Sequence, residues 1–201
     1  MENETIQLVS LPNKYSLSIK EKILYGVFKI VAPIVGAVAN VVGGNSVAAR
    51  SYLAIGLLGY ANNYTSQNID LLSKQAVLET ANFVSPMAIN DGNIFGMHRA
   101  YVRPHYATGF RFNATENADV FVFPDEFCSV MDRILWDRYN SIETQSAEYV
   151  NQVIADGYNP FDDYKVQWES TTFKLPWMVY ALAVVPFALL VALLFKIISK
   201  K

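Results

Sequence analysis

The side chains able to do acid–base, nucleophilic or metal chemistry are few in this sequence, and they are widely spaced. His98 and His105 lie seven positions apart in MHRAYVRPH. With a carboxylate such as Asp91 or Asp119 they could meet at a metal, but two histidines at that spacing in an extended segment match no zinc signature. Ordinary hydrogen-bonding roles are expected of them. Cys128 is the one cysteine, which excludes an internal disulfide and a multi-thiolate zinc site. It falls at the start of a predicted helix, where a thiolate is favoured. Asp125, Glu126 and Asp132 oppose that gain, and Phe127 and Val130 adjoin it, so a buried, inert thiol is expected. Asp156, Asn159, Asp162 and Asp163 in DGYNPFDD lack the calcium-loop spacing and read as capping and turn residues. Phosphate-loop, dinucleotide, zinc-protease, CxxC and nucleophile-elbow motifs are absent. The sequence therefore predicts a non-enzyme without catalytic residues, metal ligands or cofactor.

One polar cluster stands out. Arg99, Tyr101, Arg103 and Arg111, with Tyr106 nearby, form a basic-aromatic group inside an otherwise acidic region. Guanidinium groups make bidentate contacts to phosphate and carboxylate. These four residues are candidates for contact with a lipid headgroup or an acidic partner, with pairing to neighbouring acids as the simpler expectation.

The elements that must position these residues follow from composition and periodicity. The chain has 201 residues, 52% hydrophobic and 17% charged, with a formal charge of −2. That balance argues against disorder and against a nucleic-acid partner. Leu175 to Phe195 is 21 residues without a charge, 12 of them Leu, Val or Phe. As a helix it spans about 31 Å, matching a hydrocarbon core of ~30 Å. Trp177 and Tyr180 at one end, with Lys196, Lys200 and Lys201 at the other, read as interfacial anchors. Pro186 is tolerated in a membrane helix.

The region from Lys22 to Ala61 is apolar too. Ile30 to Ala49 carries no charge, while Asn40 and the Gly43-Gly44 pair suit a helix packed on other helices. Ala32 and Gly36, and Ala39 and Gly43, have the small-xxx-small spacing of close helix packing. One span over residues 23–44 is expected, with a pair of short helices in or partly across the bilayer as the competing arrangement. SYLAIGLLGYA (51–61) is too short to span and reads as an interfacial, re-entrant or hairpin arm.

Between these regions, Ile69 to Val84 has a helical stripe that Ser85-Pro86 ends, and Asn90 to Asn93 signals a turn. Ile94 to Phe123 suggests two or three short extended segments, around Phe110, Phe112 and 120–123. A helix is predicted from Pro124-Asp125-Glu126 onward, with a continuation after Asn140 that ends near Gly157. Residues 158–177 read as irregular. The fold class expected is a mainly α membrane protein. It has one C-terminal transmembrane helix, an N-terminal membrane helix or hairpin, and a small mixed α+β aqueous region. The divisions are a tail (1–21), a membrane-embedded or interfacial region (22–61), an aqueous region (62–174) and the span with its basic tail (175–201).

Charge is segregated. Residues 1–50 and 175–201 carry eight Lys/Arg against three acids, and residues 51–174 carry eight against fifteen. Lys and Arg near the spans favour both termini on the cytoplasmic or matrix side. The N-terminus has neither a secretory h-region nor the Arg-rich, acid-poor character of a transit peptide. Sequons occur at Asn3, Asn63 and Asn113.

The function expected is a non-catalytic accessory subunit of a multi-subunit membrane complex. Its partners would be other membrane subunits and lipids, and its place the mitochondrial inner membrane with matrix-side termini, in a respiratory or bioenergetic complex. A membrane-anchored receptor-like or viral surface binding module is the alternative. A membrane enzyme using His98, His105 or Cys128 is the third.

Overall fold

The computed structural model describes residues 16–100, 103–158 and 163–172. Among them the protein is mostly helical, with one small sheet. The C-terminal segment 175–201, with Trp177, Tyr180, Lys196, Lys200 and Lys201, lies outside the described residues, as do Tyr101, Asn159 and Asp162.

Helix α1 (Ile19–Val41) begins at a capping box. The Ser18 hydroxyl accepts from Glu21 N at 3.3 Å, and Ser18 N donates to Glu21 Oε2 at 2.8 Å. These contacts satisfy two of the donors that every helix N-terminus leaves open. Pro33 lies inside the helix. The chain then turns sharply, because Gly43 adopts φ +75° and Gly44 N reaches back to Ala39 O at 2.7 Å. Helix α2 (Ser46–Ala61) follows, its first turn capped by Asn45 Oδ1, which accepts from Val47 N and Ala48 N. The segment 51–61 is thus the second arm of a helical hairpin.

Helix α3 (Ser66–Glu79) is capped by Thr65. Ser85 and Pro86, predicted to end a helix, instead cap and open the short helix α4 (Pro86–Asp91), which Gly92 closes in the left-handed conformation. Strands β1 (Gly109–Asn113) and β2 (Ala118–Val122) pair antiparallel with Phe110 opposite Phe121 and Arg111 opposite Val120. Asp125 caps α5 (Glu126–Tyr139) by accepting from Cys128 N at 3.1 Å. Helix α6 (Tyr149–Ala155) follows. Helix α7 (Tyr164–Ser170) occupies a stretch expected to be irregular. Its hold is tertiary: Trp168 is fully buried, and its indole N–H donates to Leu71 O on α3.

The hairpin is not set apart from the rest. α1 packs on α2, and α2 packs on both α3 and α5. A single hydrophobic cluster joins Phe28 and Ala32 of α1, Ala54, Ile55 and Leu58 of α2, Leu72 of α3, Phe121 of β2, Phe127 and Ile134 of α5, Val153 of α6 and Trp168 of α7. Residues 22–61 therefore supply part of the core on which the central segment folds.

Of the small residues expected at a helix interface, Ala32, Gly36 and Ala39 are buried on the α1 face toward α2. At Gly36 an added Cβ would lie 3.2 Å from Arg50 Nη1 and 3.4 Å from Ser46 Cβ. Gly43 departs from that expectation. It stands past the helix end, exposed, where its positive φ makes the turn.

Candidate functional site

Three places in the fold gather polar or unpartnered groups. The first is a cavity of about 530 Å³ lined by Glu79, His98, Arg99, Arg103, Trp136 and Tyr158, among others. The end of α3, the chain leading into the β hairpin, α5 and the segment after α6 bring these groups together. Arg99 lies over the Phe110 ring at 3.7 Å and pairs with Asp119 at 3.2 Å. Arg103 pairs with Asp132 at 2.6 Å, with both carboxylate oxygens engaged. Arg111 pairs with Asp91 at 2.7 Å. Each guanidinium thus meets an aspartate of the same chain. Arg103–Asp132 is buried, whereas Arg99 and Arg111 keep about a fifth of their side chains exposed.

The histidines do not converge. His98 sits at the surface with Nε2 2.7 Å from Glu116, while His105 is buried against the Phe121 ring at 4.8 Å. Among the described residues, no group of three or more His, Cys, Asp or Glu side chains could hold a metal ion. Cys128 is buried on the first turn of α5. Burial, then the Asp125 carboxylate, pushes its thiol up from 9.0 to about 12, so it carries little thiolate at neutral pH.

The second place is a buried polar knot in the core. Arg133 and Asp137, one turn apart on α5, are both fully buried and ion-paired. Asp137 also accepts from the hydroxyls of Tyr64 and Tyr149. Arg133 donates to Gln75 Oε1 at 3.2 Å and to the Tyr149 hydroxyl at 3.2 Å, and contacts the adjoining Trp136 and Tyr158 rings at 4.8 and 4.7 Å. Burial works against the guanidinium charge, but Asp137 and the phenol oxygens outweigh it. Burial raises both tyrosines well above their ordinary value, with Asp137 adding to the effect. The knot links α2–α3, α5 and α6, and it rigidifies the core rather than opening to a substrate.

The third place is the outward face of α1. Ile19, Ile23, Ile30, Ile34 and Val41 are 79%, 64%, 58%, 45% and 87% exposed. At 3.6 residues per turn, these five with Gly26, Pro33 and Ala37 fall within an arc of about 100°, a stripe down one side of the helix. The opposite arc, centred on Phe28, Val35 and Ala39, is buried on α2 and α5. Lys22 and Lys29 border the exposed stripe on one side and Lys20 on the other, and the acid on the helix, Glu21, is turned inward and buried. Its Oε1 lies 3.7 Å from Arg138.

α1 is the one helix among the described residues long and apolar enough to cross a membrane, with a mean hydropathy of 1.7 over its best window. A core helix of a soluble protein can match that length and hydropathy. What distinguishes α1 is that a third of the window is buried while its branched aliphatic residues also line the outside.

Sequence periodicity did not separate these two faces, because α1 is apolar on both, and the charge-free run from Ile30 reads the same all round. The knot carried a faint local signal, the Arg133–Asp137 spacing of four inside an apolar helix. No family model matches the chain, and no curated protein or solved structure is detectably similar to it.

Proposed function

We propose that the chain is a membrane-bound, non-catalytic structural subunit that helps assemble a larger membrane complex. The observation that carries this reading is the outward face of α1. It presents five exposed branched aliphatic residues in one stripe while the opposite face is spent on the protein's own core. Large contiguous apolar surfaces mark membrane or protein contacts. The uncharged run from Leu175 to Phe195 supports the same placement. The non-catalytic part rests on the inert setting of Cys128, the separation of the two histidines, and the internal pairing of Arg99, Arg103 and Arg111.

The proposed host is a bioenergetic complex of the mitochondrial inner membrane, with both termini on the matrix side. Alkaline carbonate extraction of fractionated cells, followed by native-gel mass spectrometry of the gently solubilised membranes, tests each part. The chain should stay in the carbonate-resistant mitochondrial pellet and migrate with other subunits. Migration as a lone monomer overturns the subunit reading, and release by carbonate overturns the membrane reading.

A membrane-anchored binding module is the second reading, favoured by the 530 Å³ cavity between Glu79, His98, Arg99 and Tyr158. Its mark would be a full-length, monodisperse, solitary chain that captures a soluble ligand.

A further inference from the structure

We infer that α1 lies in the plane of an anionic lipid surface, its outward stripe seated at the headgroup–acyl boundary, rather than crossing the bilayer. The inference rests on the membrane reading above and specifies how that face meets the membrane. Three observations carry it.

α1 is fastened to charged parts of the fold along its middle, not only at its ends. Lys29 Nζ lies 3.4 Å from Asp125, and the Tyr25 hydroxyl donates to the same carboxylate at 2.7 Å. Arg50, packed beside Gly36, holds Glu126 through Nε at 2.9 Å and Nη2 at 2.6 Å. A crossing α1 would carry these four charged groups and the start of α5 to the bilayer midplane, where Lys, Arg and Asp are strongly disfavoured. Lying flat, α1 leaves them on the water side.

The stripe keeps to one side of the helix. Residues 19, 23, 26, 30, 33, 34, 37 and 41 track one edge over the full 23-residue helix, about 34 Å. All of it therefore faces one side, the side an apolar surface would meet.

The rim of the stripe is cationic. Lys20 and Lys22 border it on opposite sides, Lys20 reaching the Ala61 carbonyl, while Lys29 lies beyond Lys22 and is paired to Asp125, and no carboxylate of α1 shares the exposed face. Lysines on either side of an apolar stripe complement an anionic headgroup layer and can snorkel to it. A second copy of the same helix would bring like charges together.

The test uses the full-length chain in vesicles of phosphatidylcholine with phosphatidylserine. In a Cys128→Ser background, single substitutions Ile19→Cys, Ile23→Cys, Ile30→Cys, Ile34→Cys and Val41→Cys carry a nitroxide, with Ile89→Cys as an exposed control away from α1. Collision with dissolved oxygen and with a water-soluble nickel chelate gives the depth of each label. The expected result is one shallow depth of about 5–10 Å at all five positions, with Ile89→Cys in water.

A depth profile that peaks at Ile30→Cys and falls toward both ends means that α1 crosses. Labels shielded from both reagents mean that protein, a second copy or residues 175–195, covers the stripe. Labels as wet as Ile89→Cys mean that the face meets no membrane. Each of these overturns the in-plane placement while the chain stays vesicle-bound; the first two leave the membrane reading intact, and the third also removes its support from α1. A chain that fails to float with the vesicles overturns both.

Discussion

Asp137 is the counter-charge of Arg133 and the acceptor for Tyr64 and Tyr149, and its replacement shows what the buried knot does. Asp137→Asn keeps the shape but leaves the Arg133 guanidinium buried without its counter-charge. Breaking a buried pair from one side costs about 3–5 kcal/mol, read as a lower urea midpoint for the detergent-solubilised protein at unchanged slope. Replacing both partners, Arg133→Met with Asp137→Leu, should cost less than the single change, because no orphaned charge remains.

The two tyrosines of the knot, with Cys128, set an alkaline limit. Cys128, Tyr64 and Tyr149 keep their protons in the folded state at pH values where the unfolded chain releases them. Their contribution is complete below the unfolded values, 9.0 for the thiol and 10.0 for the phenols, and is lost as pH rises toward the folded ones. The urea midpoint should fall above pH 9, and Cys128→Ala should remove the part of the fall between pH 9 and 10. A thiol reagent at pH 8 should leave folded Cys128 unmodified and label it in urea.

At the scale of elements, the close approach of α2 and α3 depends on one missing side chain. A Cβ at Gly59 would stand 2.7 Å from Ile69 Cγ1 and 3.1 Å from its Cδ1. Gly59→Ala should destabilise by about 1–3 kcal/mol through overpacking, and Ile69→Ala should reverse much of that loss in the double variant. Additivity of the two changes in urea melts would mean that the helices do not meet at this point.

Most elements were legible because their signals are local. Asp125 before Glu126 opens α5, and the turn expected at Asn90 to Asn93 contains the Gly92 that closes α4, both through chemistry that acts within four residues. The alternation around Phe110 and Phe112 and the run at 120–123 gave the β hairpin its two arms. Helix α7 was not legible, since seven residues without a side-chain cap form a helix there against α3, through Trp168 and Leu71. The small-residue pattern gave Ala32, Gly36 and Ala39 a packing role but could not tell that Gly43 lies beyond the helix end at Val41.

For the molecule as a whole, the apolar N-terminal region and the polar middle are one folding unit. A fragment beginning at Asn62 loses Ala54, Ile55 and Leu58, each fully buried in the shared cluster, along with the Glu126 partner Arg50. That fragment should aggregate, or show a molten near-UV spectrum, whether or not the intact chain belongs to a larger assembly. A sharp cooperative melt for residues 62–174 alone would refute this coupling. The candidate site on α1 depends on the same unity. Its outward stripe is exposed because α2 and α5 take the inward one, and either face alone would serve as a core.

From the sequence, one span over 23–44 is expected ahead of the helix pair that forms there. What the sequence by itself determined is the acidic start of α5, the turn at Asn90 to Asn93, the extended segments that pair as the β hairpin, and the concentration of apolar residues toward the ends of the chain. All of these arise from neighbours along the chain. The tertiary structure decided which face of α1 is covered and which acid each arginine meets. Tyr25 finds Asp125 across 100 positions, Arg50 finds Glu126 across 76, and Arg133 finds Gln75 across 58. Pairings at such separations follow from how the helices pack, and no spacing along the chain encodes them.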